Sequence, residues 1–323
     1  MRIEVWADVV CPWAYIGKRR LERAVAAFAE PVEVVWRPYR IDPAAPVPAQ
    51  PLEETLRDPI ADGALRACAP DLSPAENRVR VSREAAAEGL GPPWGAVWRA
   101  GSHDAHRLIA LAEHGGPGVQ DAVVEAVLRA HFVDGADISD PASLADAVAG
   151  VFPQARALLA DGAGKDRVRE LLLEGRARGI RTSPTIVVGD RALAGAQGPE
   201  VIGAFLHEGG GTRTLPAEVE RYRWAESLLE QRDPLGALVL LRPLLAEHGA
   251  DRGVRLLGAR AWFASAQLGR ARAALEELVA EFPADAYAHV LLGRTLQRLG
   301  RHEDAGPHLR MGGAMVPAYA GNG

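Results

Sequence analysis

The sequence predicts two successive architectures. The first is an α/β unit ordered β-α-β, long helical insertion, α-β-β-α; the second is an all-α unit of paired helices. Three observations predict this. The chain opens on a short, β-branched, nearly continuous apolar run, the pattern of a buried strand. Two further β-rich runs, Thr185 to Val188 and Arg191 to Ala194, flank a Gly189-Asp190 turn, as in a hairpin. Beyond Gly209-Gly210-Gly211 the chain is helical in pattern and repeats itself at about 34 residues.

Taken in order, Ile3 to Val10 is the first strand, and Cys11-Pro12-Trp13 breaks it. Ala14 to Phe28 has helix composition, with Leu21, Val25 and Phe28 at helical spacing. Val32 to Ile41 is a second strand, and residues 42–52 read as a Pro- and Ala-rich loop. From about 53 to 180 the pattern is helical. Leu108, Ile109, Leu111 and Ala112 follow a Ser102-His103-Asp104 start, and Val123 to Phe132 forms the next helix. Asp140-Pro141 supplies an N-cap and a proline at the first helical position of another. Lys165 to Arg178 is a further helix, and after the hairpin Pro199 to Leu206 closes the unit. This places the first domain at residues 1–210 and the second at 216–317.

In the second domain Leu268-Gly269-Arg270 recurs as Leu299-Gly300-Arg301, with Ala274 and Leu278 recurring as Ala305 and Leu309. Leu256-Leu257-Gly258 recurs as Leu291-Leu292-Gly293, and Pro283 as Pro317. An earlier copy runs from Val219 to His248, with Ala225, Leu228, Ala237 and Leu241 in the matching places. A repeated helix pair with small residues in each helix and a proline after the second is the tetratricopeptide pattern. Three copies fit, about the number needed to bury a continuous core.

Composition removes several classes. The 323 residues suit about two domains, and 48% hydrophobic with 24% charged residues describes an ordinary globular chain. Two cysteines are too few for a disulfide-stapled scaffold. The 37 basic residues against 42 acidic ones leave a net charge of −5, with 13 of each sign beyond residue 217. Neither half is basic, which argues against nucleic acid as a partner. No apolar run approaches the roughly 20 residues of a membrane span. Glu4 and Asp8 interrupt the apolar start, so it does not read as a secretory signal, and the expected location is the cytoplasm. There a lone cysteine is a candidate reactive group.

Cys11 is the sharpest such feature. It lies between a buried strand and a helix opened by Pro12. A thiol there faces free N–H groups and the positive end of the helix dipole, which favour thiolate. Lys18, Arg19 and Arg20, one to two turns away, would add positive potential. The alternative is a small buried hydrophobe, a common fate of free cysteine.

Asp8-Val9-Val10-Cys11-Pro12-Trp13-Ala14-Tyr15-Ile16-Gly17-Lys18-Arg19 resembles the active-site segment of the DsbA-like oxidoreductases, in particular the FrnE branch. His103-Asp104-Ala105-His106-Arg107-Leu108 resembles that branch's Asp-Ala-His-Arg helix. Arg129-Ala130-His131-Phe132, with Gly135, Asp137 and Ile138, resembles the end of its next helix. Ser183-Pro184-Thr185 and Gly195-Ala196-Gln197 resemble its cis-proline loop and final turn. The resemblance covers about residues 1–210 and implies a thioredoxin-like fold with a helical insertion. It also implies that Pro184 is cis and faces the reactive thiol, leaving the Ser183 backbone free to pair with a peptide or a thiol cofactor.

The sequence departs from the family at one decisive place. The family pattern is Cys-Pro-Trp-Cys, and Ala14 stands at the second cysteine. Without that sulfur the motif's own resolving step cannot occur. The other cysteine of the chain, Cys68, is either a resolving partner or incidental. Gln197-Gly198 opens a helix whose free N–H groups suit a carboxylate; in the related kappa-class glutathione transferases and 2-hydroxychromene-2-carboxylate isomerases this turn holds the cofactor's γ-glutamyl end. An ordinary helix cap is the other reading.

Tyr15, His103, Asp104, His106 and His131 are candidate cleft-lining residues, and Trp94 and Trp98 line the same cleft or belong to the core. His103 and His106 have metal spacing but no converging carboxylate or cysteine, so no metal is expected. A Cys11–His106 nucleophile–base pair is conceivable. The leading expectation is thiol–disulfide chemistry through Cys11 alone, with no tightly bound cofactor and with glutathione or another low-molecular-weight thiol as candidate ligand. The helical repeats would recruit a protein partner or self-associate. The alternatives are a thiol-dependent transferase or isomerase, and a non-enzymatic adaptor or holdase.

Overall fold

A computed structural model describes residues 1–55, 71–209 and 215–319. Cys68 and Gly210-Gly211 lie outside the described residues. The chain divides into two compact units, Met1–Gly175 with Gly179–Thr214 and Arg176–Arg178 with Leu215–Gly323.

In the first unit β1 (Arg2–Ala7) is a central strand. It runs parallel to β2 (Glu33–Pro38) and antiparallel to β3 (Thr185–Val188), which pairs with β4 (Arg191–Ala194). Val5 is opposite Trp36 on one side and Ile186 on the other. This central position accounts for the unbroken apolar run, since Ile3, Val5, Trp6 and Ala7 are all buried. The strand order and directions are those of the thioredoxin-like fold that the resemblance implies.

β1 stops at Ala7, earlier than the expected Val10. The Asp8 side chain turns the chain: its Oδ1 accepts the Val10 amide at 3.4 Å, while its carbonyl accepts the Cys11 amide at 3.0 Å. The crossover helix α1 (Pro12–Ala26) begins two residues before the expected Ala14, with Cys11 as N-cap and Pro12 as first helical residue.

The described part of the insertion folds as α2 (Pro74–Ala87), α3 (His103–Ala112), α4 (Val119–Phe132), α5 (Pro141–Val148), α6 (Ala155–Ala160) and α7 (Lys165–Ala177); α8 (Pro199–His207) closes the unit. Against the expected loop and all-helical insertion, Gln50–Pro51 pairs antiparallel with Trp98–Arg99, a ribbon too short to show in periodicity. Leu108, Val124, Leu128 and Leu144 share one core with Ile3, Val5 and Ile16. Gln120 ties the insertion to the sheet edge. Its amide accepts from the Trp36 N–H at 2.9 Å and donates to the Trp36 carbonyl at 3.1 Å, as a neighbouring strand would. Trp94 and Trp98 belong to this packing: Trp94 stacks on Phe132 at 5.1 Å, and Trp98 donates to the Gly135 carbonyl at 2.9 Å.

The second unit consists of the pairs α9 (Ala217–Glu230) and α10 (Pro234–Glu247), α11 (Arg252–Ala264) and α12 (Leu268–Glu281), and α13 (Ala286–Arg298) and α14 (His302–Met315). Buried small residues recur in a strict 34-residue register, at Ala225, Ala259 and Gly293 and at Ala237, Ala271 and Ala305. The 31-residue match of Ala274 with Ala305 is therefore out of structural register. Helix N-termini keep the same period: Asp251 caps Val254 and Asp285 caps Ala288.

Gly293 lies at a close approach of α13 and α14. A Cβ there would meet Leu309 Cγ at 2.6 Å. Gly293→Val should lower stability by about 1–3 kcal/mol through overpacking, despite valine's better helix propensity. Urea unfolding of the full chain checks this; an unchanged midpoint contradicts it.

Candidate functional site

The strand end, the helix start and the residue-183 loop meet at Cys11. The Ser183–Pro184 peptide is cis. Cys11 Sγ donates to the Ser183 carbonyl at 3.4 Å, and the Asp8 amide donates to Ser183 Oγ at 2.9 Å. The Pro184 carbonyl accepts the Gly195 amide at 2.8 Å, which fixes the loop to the final turn. Ala14 is buried in the first turn of α1, where its amide donates to the Cys11 carbonyl at 2.9 Å. Trp13 is half-buried, with the Arg80 guanidinium 5.1 Å from its ring centre.

Beneath the thiol lies a buried polar group, Asp8, to which sequence pattern assigns no role. Asp8 is fully buried; its Oδ2 accepts the Ile41 amide at 2.7 Å, and its Oδ1 lies 3.3 Å from His106 Nε2. Burial alone would raise its pKa, but hydrogen bonds and charge from His106, with the Ile41 amide and the Ser102 hydroxyl, hold it below the ordinary 3.8. The available signal was an acid at the end of an otherwise apolar strand.

The electrostatics reverse the expectation for Cys11. Cys11 is 6% exposed, and burial pushes its thiol pKa up to about 11. The Ser183 hydroxyl and the Ala14 and Trp13 amides pull it down, while the Asp8 charge pushes it further up. Desolvation therefore outweighs the helix N-terminus. The three basic residues give no free potential, because each is neutralised. Lys18 pairs with Glu22, Asp121 and Glu125; Arg19 pairs with Glu22 and Glu125; Arg20 pairs with Glu84 and Glu88.

The remaining candidates separate. His106 is 2% exposed and bound to Asp8 rather than placed as a base on Cys11. Tyr15 is packed in the core, its hydroxyl donating to Glu125 at 2.7 Å and its ring 5.8 Å from Trp94. His103 Nδ1 lies 3.3 Å from Asp104 Oδ1. Asp104 is held down to about 2, first by His103 and then by Arg107, whose Nη1 donates to it at 2.8 Å. His131 is buried with Nδ1 unpartnered among the described residues, and burial pushes its pKa down to about 4 against the charges of Asp8 and Asp137. No group of three metal-ligating side chains occurs among the described residues.

The final turn sits against α1. Gln197 Nε2 donates back to the Ala194 carbonyl at 2.9 Å, and Gly198 is the N-cap of α8 without a side-chain cap. Arg20 Nη1 donates to the Ala196 carbonyl at 2.6 Å. Gly17 allows the close approach, since a Cβ there would lie 3.0 Å from Pro184 Cγ. Gly17 and Arg20 are therefore positioning residues that the pattern alone did not reveal.

A family model of the DSBA-like thioredoxin domain matches residues 2–207, and a tetratricopeptide-repeat model matches residues 228–294. Among solved structures, a probable DsbA oxidoreductase from Streptomyces coelicolor is 31% identical, with a TM-score of 0.54 over 67% of this chain and 92% of its own. A 2-hydroxychromene-2-carboxylate isomerase is 16% identical, with a TM-score of 0.44 over 64% of this chain and 95% of its own. The cytosolic disulfide reductase DsbM from Pseudomonas aeruginosa is 17% identical, with a TM-score of 0.44 over 64% and 98%. No curated protein matches the sequence. Among the described residues no helix is long and apolar enough to cross a membrane.

Two pH effects follow with opposite signs. The folded Cys11 pKa lies above its ordinary 9.0, so the stability it contributes is complete below pH 9 and is lost as pH rises towards about 11. That loss amounts to about 2–3 kcal/mol, and Cys11→Ala should remove it from the alkaline limb of urea unfolding. The folded His131 pKa lies below its ordinary 6.5, so its contribution is complete above that pH and is lost as pH falls towards about 4. At pH 5 the loss is about 2 kcal/mol, and a His131→Leu chain should show a correspondingly flatter acid limb. Parallel curves for wild type and variant would contradict either assignment.

Proposed function

The chain belongs to the DSBA-like thioredoxin family, and from that premise we propose that it exchanges thiols with disulfides through Cys11 alone. The observation that carries this reading is the Cys11 Sγ to Ser183 carbonyl contact at 3.4 Å, beside a helix turn in which residue 14 is alanine. The Cys11 thiolate attacks one sulfur of a substrate disulfide. A Cys11–substrate disulfide forms, the substrate S–S bond breaks, and the leaving half takes the proton that Cys11 lost. Ala14 has no sulfur, so an external thiol such as glutathione resolves the mixed disulfide.

The resting state is the protonated thiol, hydrogen-bonded to Ser183. An extended substrate whose N–H pairs with the Ser183 carbonyl takes away that acceptor and weakens the hold on the proton. Gln197 and the N-terminus of α8 at Gly198 supply donors for the substrate's carboxylate end. The proposal includes the FrnE branch, a cytoplasmic setting, thiol chemistry in residues 1–210 and partner binding by the repeats of 216–317.

A second reading rests on the pKa of Cys11, pushed up to about 11. A thiol protonated at neutral pH can donate a hydrogen bond to the thiolate of a bound low-molecular-weight thiol. That role suits a thiol-dependent transferase or isomerase and needs one sulfur.

In a Cys68→Ser background, incubation with oxidised glutathione at pH 8, read by intact mass, should add one glutathionyl group to the chain with Cys11 and none to the chain that also carries Cys11→Ser. Ala14→Cys should raise the rate of insulin reduction about tenfold or more by restoring internal resolution. A wild type as fast as Ala14→Cys would sink the external-resolution step. Absence of the adduct, with unimpaired binding of reduced glutathione, would favour the second reading; absence of both would leave a non-enzymatic adaptor.

A further inference from the structure

The second unit carries an apolar face that its own packing covers only in part. A surface helix needs one apolar stripe, and α10 has two. Ala237, Leu240, Leu241 and Leu244 form the buried stripe inside the repeats. Leu235, Leu238, Val239 and Leu245 lie on another side and, with Trp262 of α11, line an open groove of about 340 Å³. Leu235 is 59% exposed there.

The charges beside the groove are also unbalanced. Arg252, Arg255, Arg260, Arg272 and Arg301 of the same unit each pair with a carboxylate. Arg242 and Arg270 both border the groove and make no ion pair among the described residues; Arg270 donates to the Gln267 side chain at 2.9 Å. The groove therefore offers apolar contact flanked by two cations without counter-charges. From Leu235 to Leu245 the stripe spans about 15 Å, the rise of about three helical turns. A partner helix with apolar anchors three, seven and ten residues beyond the first spans that length.

We propose that this groove docks an acidic amphipathic helix of a partner protein, its apolar side chains against α10 and Trp262 and its carboxylates on Arg242 and Arg270. The proposal deepens the partner-binding role given to the repeats and rests on that role, independently of Cys11.

The test uses the full chain and a fluorescein-labelled helical peptide of about 14 residues, with leucines at those spacings and glutamates between them. A second peptide carries lysine in place of each glutamate. Fluorescence anisotropy should show the acidic peptide binding wild type at least about tenfold more tightly than the basic one. The double variant Arg242→Glu, Arg270→Glu should invert that preference, and Leu235→Asp should weaken both peptides. The substituted side chains are exposed, and unchanged thermal unfolding confirms that the variants fold. Acidic-peptide binding that ignores charge reversal would overturn this surface while leaving partner binding by the repeats intact. Failure of both peptides to bind would overturn this groove as a helix-docking surface and leave the partner role to other faces of the repeats. A wild-type dimer that Leu235→Asp dissociates would assign the groove to a second copy and overturn the proposal.

Discussion

The thiol end of the first unit depends on one buried anion. The Asp8 carboxylate has no exposure, and an uncompensated charge in that position would cost several kcal/mol. Its compensation comes from separate parts of the chain: the Ile41 amide after β2, the Val10 amide in the turn before α1, and His106 on α3 of the insertion. Its own amide binds Ser183 of the cis-proline loop. Four segments are thus gathered at one residue, and two of them, the Asp8 turn and the Ser183 loop, hold Cys11 directly.

The same charge works against the chemistry it organises. A carboxylate close to a buried thiol disfavours thiolate, and burial disfavours it more. The helix N-terminus, a standard means of lowering a cysteine pKa, acts here but is outweighed. The basic residues of α1 do not redress the balance, because Lys18, Arg19 and Arg20 hold neighbouring helices through carboxylates. Positive charge near Cys11 in sequence has become structural charge in the fold. The thiol therefore rests protonated, and in the proposed exchange its reactivity is tied to what displaces it from the Ser183 carbonyl.

The helical unit follows a different rule. Its order comes from small residues at a 34-residue period, where helices approach closely enough that Gly293 has no room for a Cβ beside Leu309. Apolar residues outside that period are buried only where a neighbouring helix covers them. α10 shows this plainly, with one stripe buried and Leu235 exposed.

The sequence by itself determined the element order, the cysteine at a helix start, the missing second sulfur at Ala14 and the paired-helix character of the second unit. Each is a local property: periodicity, turn chemistry or the identity of one residue. The ends of β1 and α1 were misplaced by a few residues because the Asp8 turn and the Cys11 cap belong to side-chain hydrogen bonds rather than to periodicity. The roles of Asp8, Gly17 and Arg20, and the separation of Tyr15 and His106 from direct work on the thiol, needed the tertiary structure. So did the sign of the Cys11 pKa shift, because it is set by desolvation and by charges that folding brings together from distant parts of the chain.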